Sequence, residues 1–193
     1  MRRILDDISE YRYTLGIYTH YGIDDVEEEF EKIREVIKDM IKILFVCHGN
    51  ICRSPMAEFL MKDMVKKAGL AKRFYIASAA TSTEEIGNPV HYGTRNKLRA
   101  YNISTSGKYA VQMTRSDYNA YDYLIGMDRA NIRNMLRIVH SDPQHKICRL
   151  LDFGDHPRDI ADPWYTGNFD ETYDDIVEGC TALLAHIQSA SKK

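Results

Sequence analysis

From Ile41 onward the apolar positions switch repeatedly between a continuous run and a helical spacing, and each switch marks an element boundary. The run at 41–46 (Ile-Lys-Ile-Leu-Phe-Val) is short and rich in β-branched residues, as in a buried strand. Similar runs predict strands at 74–78, 123–127 and 147–151. Helical spacing predicts helices at 55–68, 90–100, 130–138 and 169–189. Alternation of this kind argues for parallel βαβ units in a doubly wound α/β sheet flanked by helices. The crevice of such a sheet lies beyond the carboxyl ends of its strands.

Residues 1–39 follow a different pattern. Ile4, Ile8, Tyr11 and Leu15 share one helical face, and Val26, Phe30, Ile33 and Ile37 share another after a break at Gly22. Asp24 can cap the second helix, and Glu27-Glu28-Glu29 suits its amino end. The expectation is a helical N-terminal extension before one domain at 40–193. Two origins fit it: an arm that docks on the domain or on a partner, or upstream sequence from a mistaken start codon.

The first strand ends at Cys47, and the chain then runs His48-Gly49-Asn50-Ile51-Cys52-Arg53-Ser54-Pro55 into the first helix. Ser54 is expected as N-cap, Pro55 at the first helical position and Glu58 in the first turn. A loop between a strand's end and a helix's start directs backbone N–H groups inward, and the helix dipole adds positive potential. Arg53 offers a planar fork for two oxygens of a phosphate-like group. The same field favours the thiolate form of a cysteine beneath it. Gly49 supplies positive φ or a close approach of backbone to ligand, and Asn50 can brace the loop while tolerating a left-handed conformation. A strand-end cysteine alone is more often a small buried apolar residue. Five residues between it and an arginine, with a helix start following, set this one apart.

Bulk properties narrow the choice. With 193 residues and 44% hydrophobic content the chain supports one core. A net charge of −2 gives no footprint for nucleic acid or an acidic membrane. No apolar run approaches the ~20 residues of a membrane span, and no signal-peptide core opens the chain. Four cysteines (Cys47, Cys52, Cys148, Cys180) without a CxxC pair suit a reducing, cytoplasmic setting, and zinc spacing is absent. No metal or other cofactor is expected.

The stretch Val46-Cys47-His48-Gly49-Asn50-Ile51-Cys52-Arg53-Ser54-Pro55-Met56-Ala57-Glu58 resembles the signature of the low-molecular-weight protein tyrosine phosphatases. The resemblance continues through Ser78-Ala-Ala-Thr-Ser82, Ile86-Gly-Asn-Pro89, Tyr121-Asp-Tyr-Leu-Ile-Gly-Met-Asp128 and Asp162-Pro-Trp-Tyr165, from about Met40 to the C-terminus. It implies a four-stranded parallel sheet and hydrolysis of phosphotyrosine proteins, phosphopeptides or small aryl phosphates, with inorganic phosphate as product. It also implies a cysteinyl-phosphate intermediate without metal. Cys47 would be the nucleophile, Arg53 and the N–H groups from His48 through Cys52 the phosphate holders, and Asp162 the general acid. Ser54 would donate to the sulfur and Asp128 would support the site. Trp164 and Tyr165 offer one wall for a phenyl ring, with core packing the competing account of Trp164. Glu84 stands where the family's other wall is often aromatic or apolar, a departure that favours basic or small substrates over acidic phosphopeptides. Ser106-Gly107-Lys108-Tyr109-Ala110 lacks the family's histidine and arginine after its second helix. Cys52 is placed to trap an oxidised Cys47 as a disulfide, a redox switch, or is simply a buried thiol.

Three rival functions fit less well. A thiol-dependent arsenate reductase needs two further closely spaced cysteines, and Cys148 and Cys180 lie far apart. A protein-arginine phosphatase carries threonine at the loop position of Ile51, whose apolar side chain favours an aryl phosphate. A non-catalytic binding module has no need of Cys47, Arg53 and Asp162 together, and all three are present.

Overall fold

The computed structural model describes residues 39–190, so the helices expected before residue 39 lie outside the described residues. In chain order the elements are β1 (Ile41–Cys47), α1 (Arg53–Lys67), β2 (Phe74–Ala80), α2 (Tyr92–Arg99) and α3 (Asp117–Ala120). There follow β3 (Tyr123–Gly126), α4 (Arg129–Val139), β4 (Ile147–Arg149), α5 (Pro163–Thr166) and α6 (Phe169–Ala190). The four strands form one parallel sheet in the order β2-β1-β3-β4, as expected for a doubly wound α/β fold.

The run at 41–46 is almost continuously apolar because β1 is central and covered on both faces. Ile43, Phe45 and Cys47 face a core completed by Met56, Leu60 and Met61 of α1 and Ile176, Leu183 and Ile187 of α6. Leu44 and Val46 face the other way, onto Tyr118 of α3 and Met135 and Val139 of α4. Gly179 lets α6 pack closely, since a Cβ there would lie 2.5 Å from Leu150 Cγ.

Several boundaries differ from the sequence expectation. The fourth strand stops at Arg149, because Asp152 accepts the Arg149 N–H at 2.9 Å and turns Leu150–Phe153 into a 3-10 helix. The first helix begins at Arg53 with Cys52 as its N-cap residue, so Ser54 is not the cap and Pro55 is the third helical residue. Glu58 accordingly lies beyond the first turn. His91 caps α2, its Nδ1 accepting the Gly93 N–H at 3.2 Å. The four-residue helices α3 and α5 are too short to leave a period in the sequence.

Beyond β1 the chain turns to β2 on one side, while β3 pairs on the other. Cys47 therefore ends at the point where the sheet's winding reverses, the usual place for a crevice in such a sheet. The segments after β1 and β3 meet there, Arg53 at the start of α1 bonding Asp128 after β3.

Candidate active site

The loop 48–52 is held by its carbonyls. Thr81 N–H donates to Cys47 O at 2.9 Å, Ser82 N–H to His48 O at 3.0 Å and His91 N–H to Ile51 O at 2.8 Å. These bonds come from the residues after β2 and before α2, outside the loop. Within it, the Asn50 N–H points at Cys47 Sγ at 3.3 Å. The N–H groups of Gly49, Ile51 and Cys52 meet no backbone acceptor among the described residues. Carbonyls tied outward and amides left over make a cradle for an anion.

The left-handed residue of the loop is Asn50, with φ 58°, rather than Gly49. Asparagine tolerates that conformation because its short polar side chain bonds locally. Here Nδ2 donates to Ser54 Oγ at 2.9 Å and Ser78 Oγ at 2.8 Å, and Oδ1 accepts the Val111 N–H at 3.1 Å. Gly49 answers to close approach: an added Cβ would lie 3.0 Å from Glu85 Cγ. Ser54, freed from capping, stands 3.1 Å from Cys47 Sγ.

Arg53 is 2% exposed. One terminal nitrogen donates to Asp128 Oδ2 at 2.5 Å and to the Ile160 carbonyl at 3.1 Å, and the other pairs with Asp162 Oδ2. Its Nε is buried without a hydrogen-bond partner. Burial alone would lower the Arg53 pKa; the charges of Cys47, Asp162 and Asp128 outweigh it and raise the value. An orphaned buried N–H costs about 1–3 kcal/mol unless something accepts from it, as a bound oxyanion does.

Asp128 serves twice. Its Oδ1 accepts the Asn131 N–H at 2.6 Å as N-cap of α4, and its Oδ2 orients Arg53. Asp162 is extended (φ −81°, ψ 115°), as the following proline requires. The segment after it is a helical turn, with Asp162 Oδ1 accepting the Trp164 N–H at 3.1 Å.

Trp164 is 57% exposed and Tyr165 84%, so the core-packing account of Trp164 does not hold. Glu84 is exposed across the loop and bonds His48 Nε2 at 3.0 Å. A further aromatic, His91, joins the rim: its ring stacks on Phe169 at 5.3 Å and meets the Trp164 edge at 5.7 Å. Burial and the Arg95 charge hold His91 below its ordinary pKa, so the neutral ring with hydrogen on Nε2 is favoured. No sequence signal marks His91 beyond its place before a helix. Ser78 and Lys108, named in the sequence without a role, also join the site, because their partners lie far away along the chain.

All four cysteines are free thiols. Cys52 is buried, and burial followed by the Cys47 charge pushes its pKa up to about 12. A protonated thiol is the poorer nucleophile, so in the reduced site Cys52 is not itself activated. Cys148 lies on β4 and Cys180 is buried on α6. No cluster of three metal-ligating side chains occurs among the described residues, and no helix among them is long and apolar enough to cross a membrane.

A thiol under an amide cradle, near a buried guanidinium, is an arrangement suited to tetrahedral oxyanions. The model of the family described as low molecular weight phosphotyrosine protein phosphatase matches residues 42–193. A low molecular weight protein-tyrosine-phosphatase of Bacillus subtilis, YfkJ, is 44% identical over 151 residues, covering 77% of this chain and 97% of that protein. The crystal structure of YfkJ superposes with a TM-score of 0.75, over 78% of this chain and 96% of that one. SP-PTP of Streptococcus pyogenes, a low molecular weight protein tyrosine phosphatase, gives 0.68 at 42% identity, over 76% and 93%. The Drosophila arginine phosphatase DARP gives 0.71 at 28% identity, over 76% and 98%. The chain belongs to the low molecular weight phosphotyrosine protein phosphatase family.

Proposed function

We propose that this phosphatase hydrolyses aryl phosphate monoesters, phosphotyrosine in proteins above all, through a phosphorylated Cys47. The observation that carries the reading is the pair of groups on the Cys47 sulfur, the Asn50 N–H and the Ser54 hydroxyl. Arg53, whose charge acts on Cys47, keeps a buried Nε without a partner. The Cys47 thiolate attacks phosphorus in line, and the S–P bond forms as the bond to the phenolic oxygen breaks. The loop amides and Arg53 hold the three equatorial oxygens, where charge spreads in a loose transition state. Asp162 gives its proton to the departing oxygen. It then takes a proton from water, whose oxygen attacks phosphorus and releases inorganic phosphate and the thiolate.

An aryl group suits the rim. Trp164 and Tyr165 stand exposed on one side. The apolar Ile51, at the loop position where a protein-arginine phosphatase carries threonine, favours a phenyl ring over a guanidinium-bound phosphate, and so tyrosine over arginine specificity.

The general acid is tested by leaving group. Asp162→Ala should slow phenyl phosphate hydrolysis on the order of 10²–10⁴-fold, the span of general acid catalysis. A phosphate ester of a more acidic phenol should lose much less. Equal losses on both would remove Asp162 from proton transfer.

Glu84 sets a charge at the lip, with 71% of its side chain exposed. Phosphotyrosine peptides with basic neighbours should show lower KM than acidic ones. Glu84→Lys should reverse that order, worth about three- to fivefold in KM for an exposed charge pair. An unchanged order in the variant would show that specificity is read elsewhere.

A further inference from the structure

Glu58 is 4% exposed and carries a charge for which phosphoryl transfer at Cys47 has no direct use. Its Oε2 accepts from Ser78 Oγ at 2.5 Å and lies 3.1 Å from Lys108 Nζ. Its Oε1 lies 2.7 Å from Lys62 Nζ. Lys108 Nζ also donates to the Ser78 carbonyl at 2.9 Å, so one ammonium clamps both the carboxylate and the β2 backbone. Lys62 reaches Glu58 from the solvent side, its own side chain 46% exposed.

The direction of each hydrogen bond follows. An ionised carboxylate only accepts, so the single hydroxyl hydrogen of Ser78 goes to Glu58. Ser78 Oγ is then an acceptor for Asn50 Nδ2, consistent with Oδ1 of that amide facing the Val111 N–H. The same Nδ2 donates to Ser54 Oγ, which leaves the Ser54 hydrogen for Cys47 Sγ at 3.1 Å, ahead of the longer 3.4 Å contact with the Ala79 carbonyl. A neutral Glu58 would itself donate to Ser78 and release the Ser78 hydrogen to compete along the chain. Burial works to raise the Glu58 pKa, but Lys108 and Lys62 outweigh it and hold the group below its usual value.

We propose that Lys108 is a positioning residue for Cys47: through Glu58, Ser78 and Asn50 it aims the Ser54 hydroxyl at the sulfur. Lys108 belongs to the segment Ser106-Gly107-Lys108-Tyr109-Ala110, which lacks the family's histidine and arginine. The inference rests on the proposed role of Cys47 as nucleophile.

The test compares Lys108→Met, Lys108→Arg and Lys62→Met on p-nitrophenyl phosphate. Lys108→Met should lower kcat about tenfold, equivalent to roughly 1.4 kcal/mol in the barrier, with KM unchanged. Lys108→Arg should recover most of the loss, and Lys62→Met should behave as native, although it too removes an ion pair to Glu58. The rate of Cys47 alkylation by iodoacetamide should fall in step with kcat. In a Ser78→Ala background Lys108→Met should cost nothing further, since both interrupt one chain. If Lys108→Met folds poorly, Lys108→Gln gives the same comparison, retaining a donor without the charge. Native kcat and alkylation in the Lys108 variants, or full additivity with Ser78→Ala, would overturn the assignment. Were Cys47→Ser to keep turnover, the phosphatase mechanism itself would fail; inactive Cys47→Ser beside fully active Lys108→Met sinks only the role of Lys108.

Discussion

Cys47→Ser should leave no measurable hydrolysis of p-nitrophenyl phosphate, a loss on the order of a millionfold, as when the nucleophile of a covalent mechanism is removed. A serine hydroxyl at this position has no adjacent base to take its proton: Asn50 N–H and Ser54 Oγ surround Cys47 Sγ as donors or neutral groups. The cradle itself stays, so calorimetry should still detect inorganic phosphate binding to the variant. Native turnover should persist in the presence of a chelator, because no step of the proposed reaction calls on a metal. Chelator-sensitive activity that survives in Cys47→Ser would place the chemistry elsewhere.

Arg53→Lys should cost about 10²–10³ in kcat, the scale measured for losing a preorganised transition-state donor. Lysine keeps the charge, but it cannot donate at once to Asp128, Asp162 and the Ile160 carbonyl while presenting a further N–H to an oxyanion. Lysine is also the informative choice over alanine. Removing the cation altogether leaves the Asp128 and Asp162 carboxylates, each about one-fifth exposed, without their shared partner, which lowers stability as well as activity. Native kcat in Arg53→Lys would show that the guanidinium serves the fold alone; the Tm of the variant separates the two contributions.

The sheet was legible because its central strand is buried on both sides. Ile43 and Phe45 serve one core layer, Leu44 and Val46 the other, and four apolar residues in a row do not suit a strand with one wet face. The candidate phosphate loop was legible because its residues are local: the seven positions from Cys47 to Arg53 bracket thiol, cradle and guanidinium. What distance along the chain separates was not. Glu58 finds Ser78 and Lys108, twenty and fifty residues on, and only the fold brings them together. Ser54 was half legible, since the side chain suits an N-cap but the helix starts too early for it to serve as one. For Gly49 the sequence left two readings open, and the structure takes the close approach while Asn50 is the left-handed residue. Either residue tolerates a left-handed backbone, and the choice falls to the one whose side chain also ties β2 and the segment at Val111.

The chain holds a single tryptophan, and it stands at the lip of the crevice with its backbone N–H on Asp162 and its ring edge on His91. The protein thus carries its own fluorophore two residues from the proposed acid. Occupancy of the crevice can be followed in real time by emission from the unlabelled enzyme, free of background from any other indole.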